Sequence, residues 1–487
     1  MAGRDLNRAP LAHTASGVLR GCREGAVDVF RGVPYGVVRR RWAPPEPVPA
    51  WPGVRDATVD GPSCPQPRGG LRVELLGDQS GTRPDAEDCL SLTIWTPAAD
   101  DGRRPVLVWI HGGGFIGGAS SWPIYSLAQV AAHGDLVVVS MNYRLGPFGY
   151  LHVGEQDAVG GNAWLADQRL AIDWILENVA AFGGDPARVT LGGQSGGGYS
   201  TVGLLGLPDP PPIRRAALLS APLGVRARTA DESAAALDTY LRTLGVDSVD
   251  ALRALPPDRL LADVPALFER FASYGRVSLP FAPAVDEPLL PRDITPRFVE
   301  RSGDLEVLVG WTAREMGFFL PADPALAQSS RERVVERMRA TFGARAEAAF
   351  DTYGGRTPAD VLLDFTSDEL FRMPALALAR GVTARGGRAW TYQFDAHSSA
   401  FDGWAGACHC LDIPFFFDLL ETWQASGGSL AAGLDVARNR PLIDRAHRAL
   451  VAFARGEAPW GADVEPLALA PAAGPAVPEA LTELWGV

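Results

Sequence analysis

The sequence contains no lysine: all 45 basic residues among its 487 are arginine. Schiff-base lysines, serine–lysine dyads and Walker-type phosphate loops all need an ammonium group and are therefore excluded. Cysteine is sparse. Cys22, Cys64, Cys89, Cys408 and Cys410 make an odd number, far too few for a disulfide-stapled scaffold in a chain this long. No stretch approaches the ~20 apolar residues that cross a bilayer, and residues 1–17 hold no apolar segment of signal-peptide length. A cytoplasmic protein with no membrane partner is expected. Positive charge is in deficit as well. A formal net charge of -12 makes the surface a poor match for phosphate backbones, so nucleic acid is not an expected partner.

What is present fits a globular enzyme. Hydrophobic residues make up 47% of the chain, enough for a sizeable core. Length alone would suggest about three units, but there is no internal repeat and no low-complexity linker. One domain over 1–487 is expected, with a helical insertion around 225–300. Residues 91–95 alternate as a strand does, while 106–110 and 136–139 are short, nearly continuous apolar runs suited to strands buried on both faces. Between 164 and 182 the period changes to that of a helix: Leu170, Trp174, Asn178 and Phe182 are spaced by four, and Gly183, Gly184 and Pro186 close the segment. Strand-like runs return at 189–191, 216–219, 305–309 and 390–394. This order predicts an α/β fold with a large, mostly parallel central sheet and helices on both faces.

Two glycine-rich turns carry chemistry. Residues 193–197 read Gly-Gln-Ser-Gly-Gly, the G-x-S-x-G pattern. A serine at the tip of a sharp strand-to-helix turn has strained backbone geometry, so small residues must flank it. The pentapeptide alone is weak evidence, because such turns arise by chance. A strand-like run before it and a helix-like run through 202–205 favour Ser195 as a nucleophile. His111-Gly112-Gly113-Gly114-Phe115 directly follows the 106–110 run. Three consecutive glycines are costly in backbone entropy and are expected where amides must approach a ligand closely. The N–H groups of Gly113, Gly114 and Gly196 are assigned to an oxyanion hole. A phosphate loop would want Gly-Lys-Ser/Thr, and there is no lysine.

The base and acid are less constrained. With the chain order serine, acid, histidine, His397, His409 and His447 are the candidate bases. His397 suits a surface loop, and His447 lies in an arginine-rich segment that reads as a helical surface. His409 occupies a small-residue loop before an apolar run, where a mobile imidazole belongs. Cys408 and Cys410 flank it, but this spacing with a single histidine is poor zinc geometry; local packing is favoured, and neither metal nor cofactor is expected. A strand-like run leads into Glu315, while Asp402 and Asp412 lie nearer His409 in sequence.

The chain resembles the type-B carboxylesterases, which include the cholinesterases and bacterial para-nitrobenzyl esterases. The resemblance is carried by residues 30–35, 87–92, 109–115, 142–146 and 181–186, in that order. Within that family it is most similar to bacterial phenylcarbamate hydrolases, through 193–197 and 310–312. The resemblance implies the α/β-hydrolase fold and a triad of Ser195, Glu315 and His409. It also implies hydrolysis of an apolar or aromatic ester through an acyl-enzyme. A carbamate or amide hydrolase, or an acyltransferase, would use the same residues; a non-catalytic relative would be expected to have lost them. The chain departs from the family at Gln194, where glutamate is usual, so cationic esters are disfavoured. Ser220 matches a serine kept near the triad, where a supporting hydrogen bond and a purely structural buried serine are equally open. Cys64 and Cys89 match a disulfide pair of secreted relatives, with buried thiols the default reading in a reducing compartment. Trp311, Phe115, Phe318 and the phenylalanines 415–417 are candidate pocket residues, although aromatic clusters are more often core. A small-molecule ester or carbamate is the expected partner, with the enzyme a monomer or homodimer. Activity should rise with pH as His409 loses its proton, near the ordinary value of roughly 6.5.

Overall fold

A computed structural model describes residues 9–79, 84–154, 158–320, 325–354, 357–460, 465–467 and 477–487. The first eight residues of the N-terminal stretch read above lie outside them.

Among the described residues, ten strands build the main sheet: β1 (Cys22–Glu24), β2 (Val27–Pro34), β3 (Ser91–Thr96), β4 (Arg104–Ile110), β5 (Val137–Met141), β6 (Gly184–Gln194), β7 (Arg215–Leu219), β8 (Glu306–Thr312), β9 (Arg388–Phe394) and β10 (Glu465–Leu467). Their spatial order is β10-β9-β8-β7-β6-β4-β5-β3-β2-β1. Every pairing from β10 to β5 is parallel, and those joining β5, β3, β2 and β1 are antiparallel. The sheet is thus mostly parallel, as the continuous apolar runs predict. Its two faces are separated residue by residue along β4. Val106, Val108 and Ile110 join one core cluster, Leu107 and Trp109 the other, because alternate side chains point to opposite faces.

Helices cover both faces. On the first lie α1 (Ala163–Asn178) and α2 (Gly196–Leu205), through Trp164, Ile172, Tyr199 and Val202. On the second lies α5 (Val436–Arg455), through Leu442, Ile443, Leu450 and Phe453. The chain also makes long helical excursions between strands. Between β7 and β8 it forms short helices from Ala230–Leu244 to Thr295–Glu300. Between β8 and β9 it forms a second helical stretch, unexpected from the sequence reading. This includes α3 (Pro358–Ser367), a π-helical turn at Asp368–Arg372 and α4 (Met373–Ala384).

Helix α1 begins at Ala163, one residue before the expected position, and its last turn tightens into a 3₁₀ segment at Val179–Phe182. Its buried face is wider than the spacing of Leu170, Trp174 and Phe182 suggests. Leu170 is only half-buried, whereas Asp167 and Gln168 are fully buried. The reason is electrostatic. Asp167 accepts from Arg144 Nε at 2.8 Å, Nη2 at 2.6 Å and the Arg144 backbone N at 3.0 Å. Both side chains are shielded from water, with 1% and 0% exposure. This bidentate pair ties the segment after β5 to α1, and Arg144 also donates to the Ala43 carbonyl at 2.8 Å. Removing one partner leaves an uncompensated buried charge, which costs about 3–5 kcal/mol. Asp167→Ala should therefore lower unfolding free energy by about that amount in a urea titration. Asp167→Leu combined with Arg144→Met should recover much of it.

Candidate active site

Ser195 sits between β6 and α2, and its backbone is strained: φ is 55° and ψ is -127°. The turn can be this sharp because glycine stands where no side chain fits. A Cβ on Gly197 would lie 2.0 Å from the Ile110 carbonyl oxygen at the end of β4. The first turn of α2 is thereby pressed against the strand that carries the triglycine loop. The Ser195 amide donates to the Leu219 carbonyl of β7 at 2.9 Å, fixing the turn from the other side. The serine is 5% exposed, and its hydroxyl has no hydrogen-bond partner among the described residues.

The triglycine loop wraps the same spot. A Cβ on Gly112 would meet the Ser195 Cβ at 2.9 Å, and one on Gly113, whose φ is 128°, would collide with the Gly117 carbonyl at 1.9 Å. Gly114 faces open space instead, with φ at 62°. Gly196 lies under the Phe115 ring, 3.1 Å from a hypothetical Cβ. Among the described residues, none accepts a hydrogen bond from the amides of Gly113, Gly114 or Gly196. They are free donors among the described residues.

Of the three candidate histidines, only His409 reaches this turn. Its Nδ1 lies 2.6 Å from Glu315 Oε2, and its backbone N donates to the Glu315 carbonyl at 3.3 Å. Glu315 is completely buried, and its Oε1 accepts from the Thr312 backbone N at 2.8 Å, anchoring it to the end of β8. A carboxylate on Nδ1 fixes the tautomer, so a neutral His409 presents Nε2 as an acceptor. The Nε2 atom lies 3.2 Å from the Gln194 side-chain nitrogen. Burial disfavours the imidazolium, but the neighbouring Cys410 and the Glu315 carboxylate outweigh it and raise His409 above its ordinary value. The pH at which the base is freed therefore lies above the roughly 6.5 expected from the sequence.

His397 is exposed, in the loop after β9. His447 is helical as expected but not on the surface. It is buried on α5, with Nδ1 at 3.0 Å from the Phe416 carbonyl and Nε2 at 3.1 Å from His133 Nδ1. Asp412 does come close, in a different role. It is fully buried, and its Oδ2 accepts from Tyr392 Oη at 2.8 Å and from Ser220 Oγ at 3.4 Å. Burial and the charge of Glu315 raise its carboxyl to about 6. Ser220 therefore reaches the triad region only through Asp412. Asp402, with its backbone φ at 54°, is in the exposed loop with His397.

Of the candidate pocket aromatics, Trp311 and residues 415–417 are core residues. Trp311 is buried in β8 with its indole donating to Gln393 Oε1 at 3.0 Å. Phe415, Phe416 and Phe417 pack into the core against Phe394, Tyr392 and Trp109. Continuous apolar runs do not say which face is wet. The rings that do meet His409 are Phe318, Phe319 and Phe371, with centroids at 5.9, 5.2 and 5.0 Å. Phe319 and Phe371 were not anticipated. Phe371 is delivered by the π-helical turn between α3 and α4, a local irregularity often found at functional sites. Cys408 is buried beside these groups, while Cys64 and Cys89 face each other as buried thiols in the core. Among the described residues no group of three or more metal-ligating side chains assembles, and no helix is long and apolar enough to cross a membrane.

A mostly parallel sheet with a serine on a strained strand-to-helix turn defines an α/β-hydrolase. The chain belongs to the carboxylesterase family: the family model described as "Carboxylesterase family" matches residues 8–468. It is 41% identical over 453 residues to a phenmedipham hydrolase of Pseudarthrobacter oxydans, covering 92% of this chain and 90% of that protein. It is 33% identical to a para-nitrobenzyl esterase of Bacillus subtilis, covering 84% and 83%. Among solved structures, a carboxylesterase of Geobacillus stearothermophilus superposes with a TM-score of 0.80 at 32% identity, covering 93% and 92%. The protein is an ester hydrolase of this family. The two buried carboxyls can be told apart by mutation: Glu315→Gln should reduce kcat for a p-nitrophenyl ester on the order of 10⁴-fold. Asp412→Asn, which leaves the imidazole contact in place, should reduce it by less than about tenfold.

Proposed function

We propose that Ser195 is the nucleophile, His409 its general base and Glu315 the carboxylate that orients the imidazole. The 2.6 Å contact between His409 and Glu315, set beside the strained serine, carries this reading. His409 takes the Ser195 proton as the oxygen attacks the acyl carbonyl. The developing oxyanion is held by the free amides of Gly113, Gly114 and Gly196, each such donor being worth about 3–4 kcal/mol of barrier lowering. His409 then protonates the departing alcohol, and water repeats the sequence on the acyl-enzyme. Glu315 stabilises the imidazolium without taking its proton.

The substrate we favour is a small carboxylic ester with an apolar or aromatic part. Phe318, Phe319 and Phe371 around the imidazole support it, since rings beside the base give an aryl group a surface to stack on. An aryl carbamate is the second reading, favoured by the 41% identity to a phenmedipham hydrolase. We read the chain as one domain, acting in the cytoplasm as a monomer or homodimer.

A fluorophosphonate probe tests the nucleophile. The parent should label stoichiometrically and Ser195→Ala not at all; equal labelling of both would remove Ser195 from the mechanism. Turnover of p-nitrophenyl butyrate against a phenylcarbamate then ranks the two substrate classes.

A further inference from the structure

The side chain next to the nucleophile makes contacts that the proposed mechanism does not use. Gln194 is fully buried. Its Nε2 lies 3.2 Å from His409 Nε2 and donates to Cys410 Sγ at 3.4 Å. Both amide hydrogens are thus directed at acceptors on the His409 loop. Its Oε1 is buried without a partner among the described residues, an arrangement that typically costs about 1–3 kcal/mol. Cys410 is held in this contact with φ at 72°, a left-handed conformation uncommon for a residue with a side chain.

We propose that Gln194 is a positioning residue that engages His409 Nε2 in both of its protonation states. This rests on the reading of His409 as the general base. While the imidazole is neutral, Nδ1–H donates to Glu315 and Nε2 accepts from the Gln194 amide, which holds the ring plane toward the serine turn. The seryl hydroxyl must displace the Gln194 amide from the single Nε2 lone pair, and once Nε2 holds the seryl proton it is a donor facing another donor. A half-turn of the terminal amide exchanges the two ends of Gln194, and the orphaned Oε1 accepts from the imidazolium. No bond is made or broken in Gln194. The proton moves only from Ser195 Oγ to His409 Nε2 and on to the leaving group. A glutamine can serve both states because it carries a donor and an acceptor on one rotor; a carboxylate serves only the charged one.

The test is the acid limb of kcat/KM, compared among the parent, Gln194→Glu and Gln194→Met. The other titratable groups around His409 are Glu315, Asp412, Cys408, Cys410, Tyr392 and Tyr125, and all are common to the three proteins. Glu at 194 accepts only and adds a negative charge facing Nε2, so its limb should move to higher pH by about 1–3 units. Met keeps the bulk but offers neither donor nor acceptor. Its kcat should fall on the order of tenfold, with KM little changed. Melting temperature and fluorophosphonate labelling establish that each variant is folded. An unmoved limb in the Glu variant, or an unchanged kcat in the Met variant, overturns the proposal. Should the Glu variant fail to fold, the Met variant decides alone. If instead the parent shows no acid limb, or Ser195→Ala still labels, the failure belongs to the catalytic reading and not to Gln194.

Discussion

The close approach of α2 to the end of β4 is the constraint on which the site depends. With glycine at 197, the first helical turn presses against the Ile110 carbonyl, and Ser195 is forced into a conformation that residues with side chains rarely adopt. Strain of this kind costs on the order of 1–3 kcal/mol. It persists because the Leu219 carbonyl, the triglycine loop and the buried helix together leave the turn no other place to go. The triglycine loop packs against the same turn, a Cβ on Gly112 meeting the Ser195 Cβ at 2.9 Å. The proposed nucleophile and the proposed anion-binding amides therefore share one close backbone approach.

The imidazole arrives by a different route. Strands β8 and β9 lie side by side and in parallel register, so the loops at their C-terminal ends emerge together. Glu315 follows the first of these strands closely and is tied back to it at Thr312, while His409 comes from the longer excursion after the second. A carboxylate and an imidazole separated by 94 residues thereby meet at 2.6 Å. Around them the protein excludes water with Phe318, Phe319 and Phe371. An apolar surround makes the ion pair formed during proton transfer stronger than it would be in solvent.

Much of this was legible in the sequence, and the part that was not has physical reasons. The buried parallel strands announce themselves as apolar runs, and the two glycine turns announce close backbone approach. Glu315 and His409 were named through resemblance; local pattern left Asp402, Asp412 and two other histidines in contention. A contact across 94 residues depends on strand register, which no local window records. Asp167 and Gln168 broke the apolar stripe of α1 because their partners, Arg144 and Ser200, come from other segments. The stripe of Val334, Val335, Met338 and Phe342 on the helix Arg331–Phe342 is a helical signal that the sequence does carry among its arginines and glutamates. The π-helical turn that delivers Phe371 has no comparable signature.

The proposed mechanism requires a covalent intermediate on Ser195. Acid-quenched reaction with a slowly turned-over aryl carbamate, followed by peptide mass mapping, observes it directly. A carbamoyl adduct is expected on the peptide containing Ser195 and on no other. An adduct on the Cys410 peptide instead, or hydrolysis with a full burst of released phenol and no modified peptide, would contradict it.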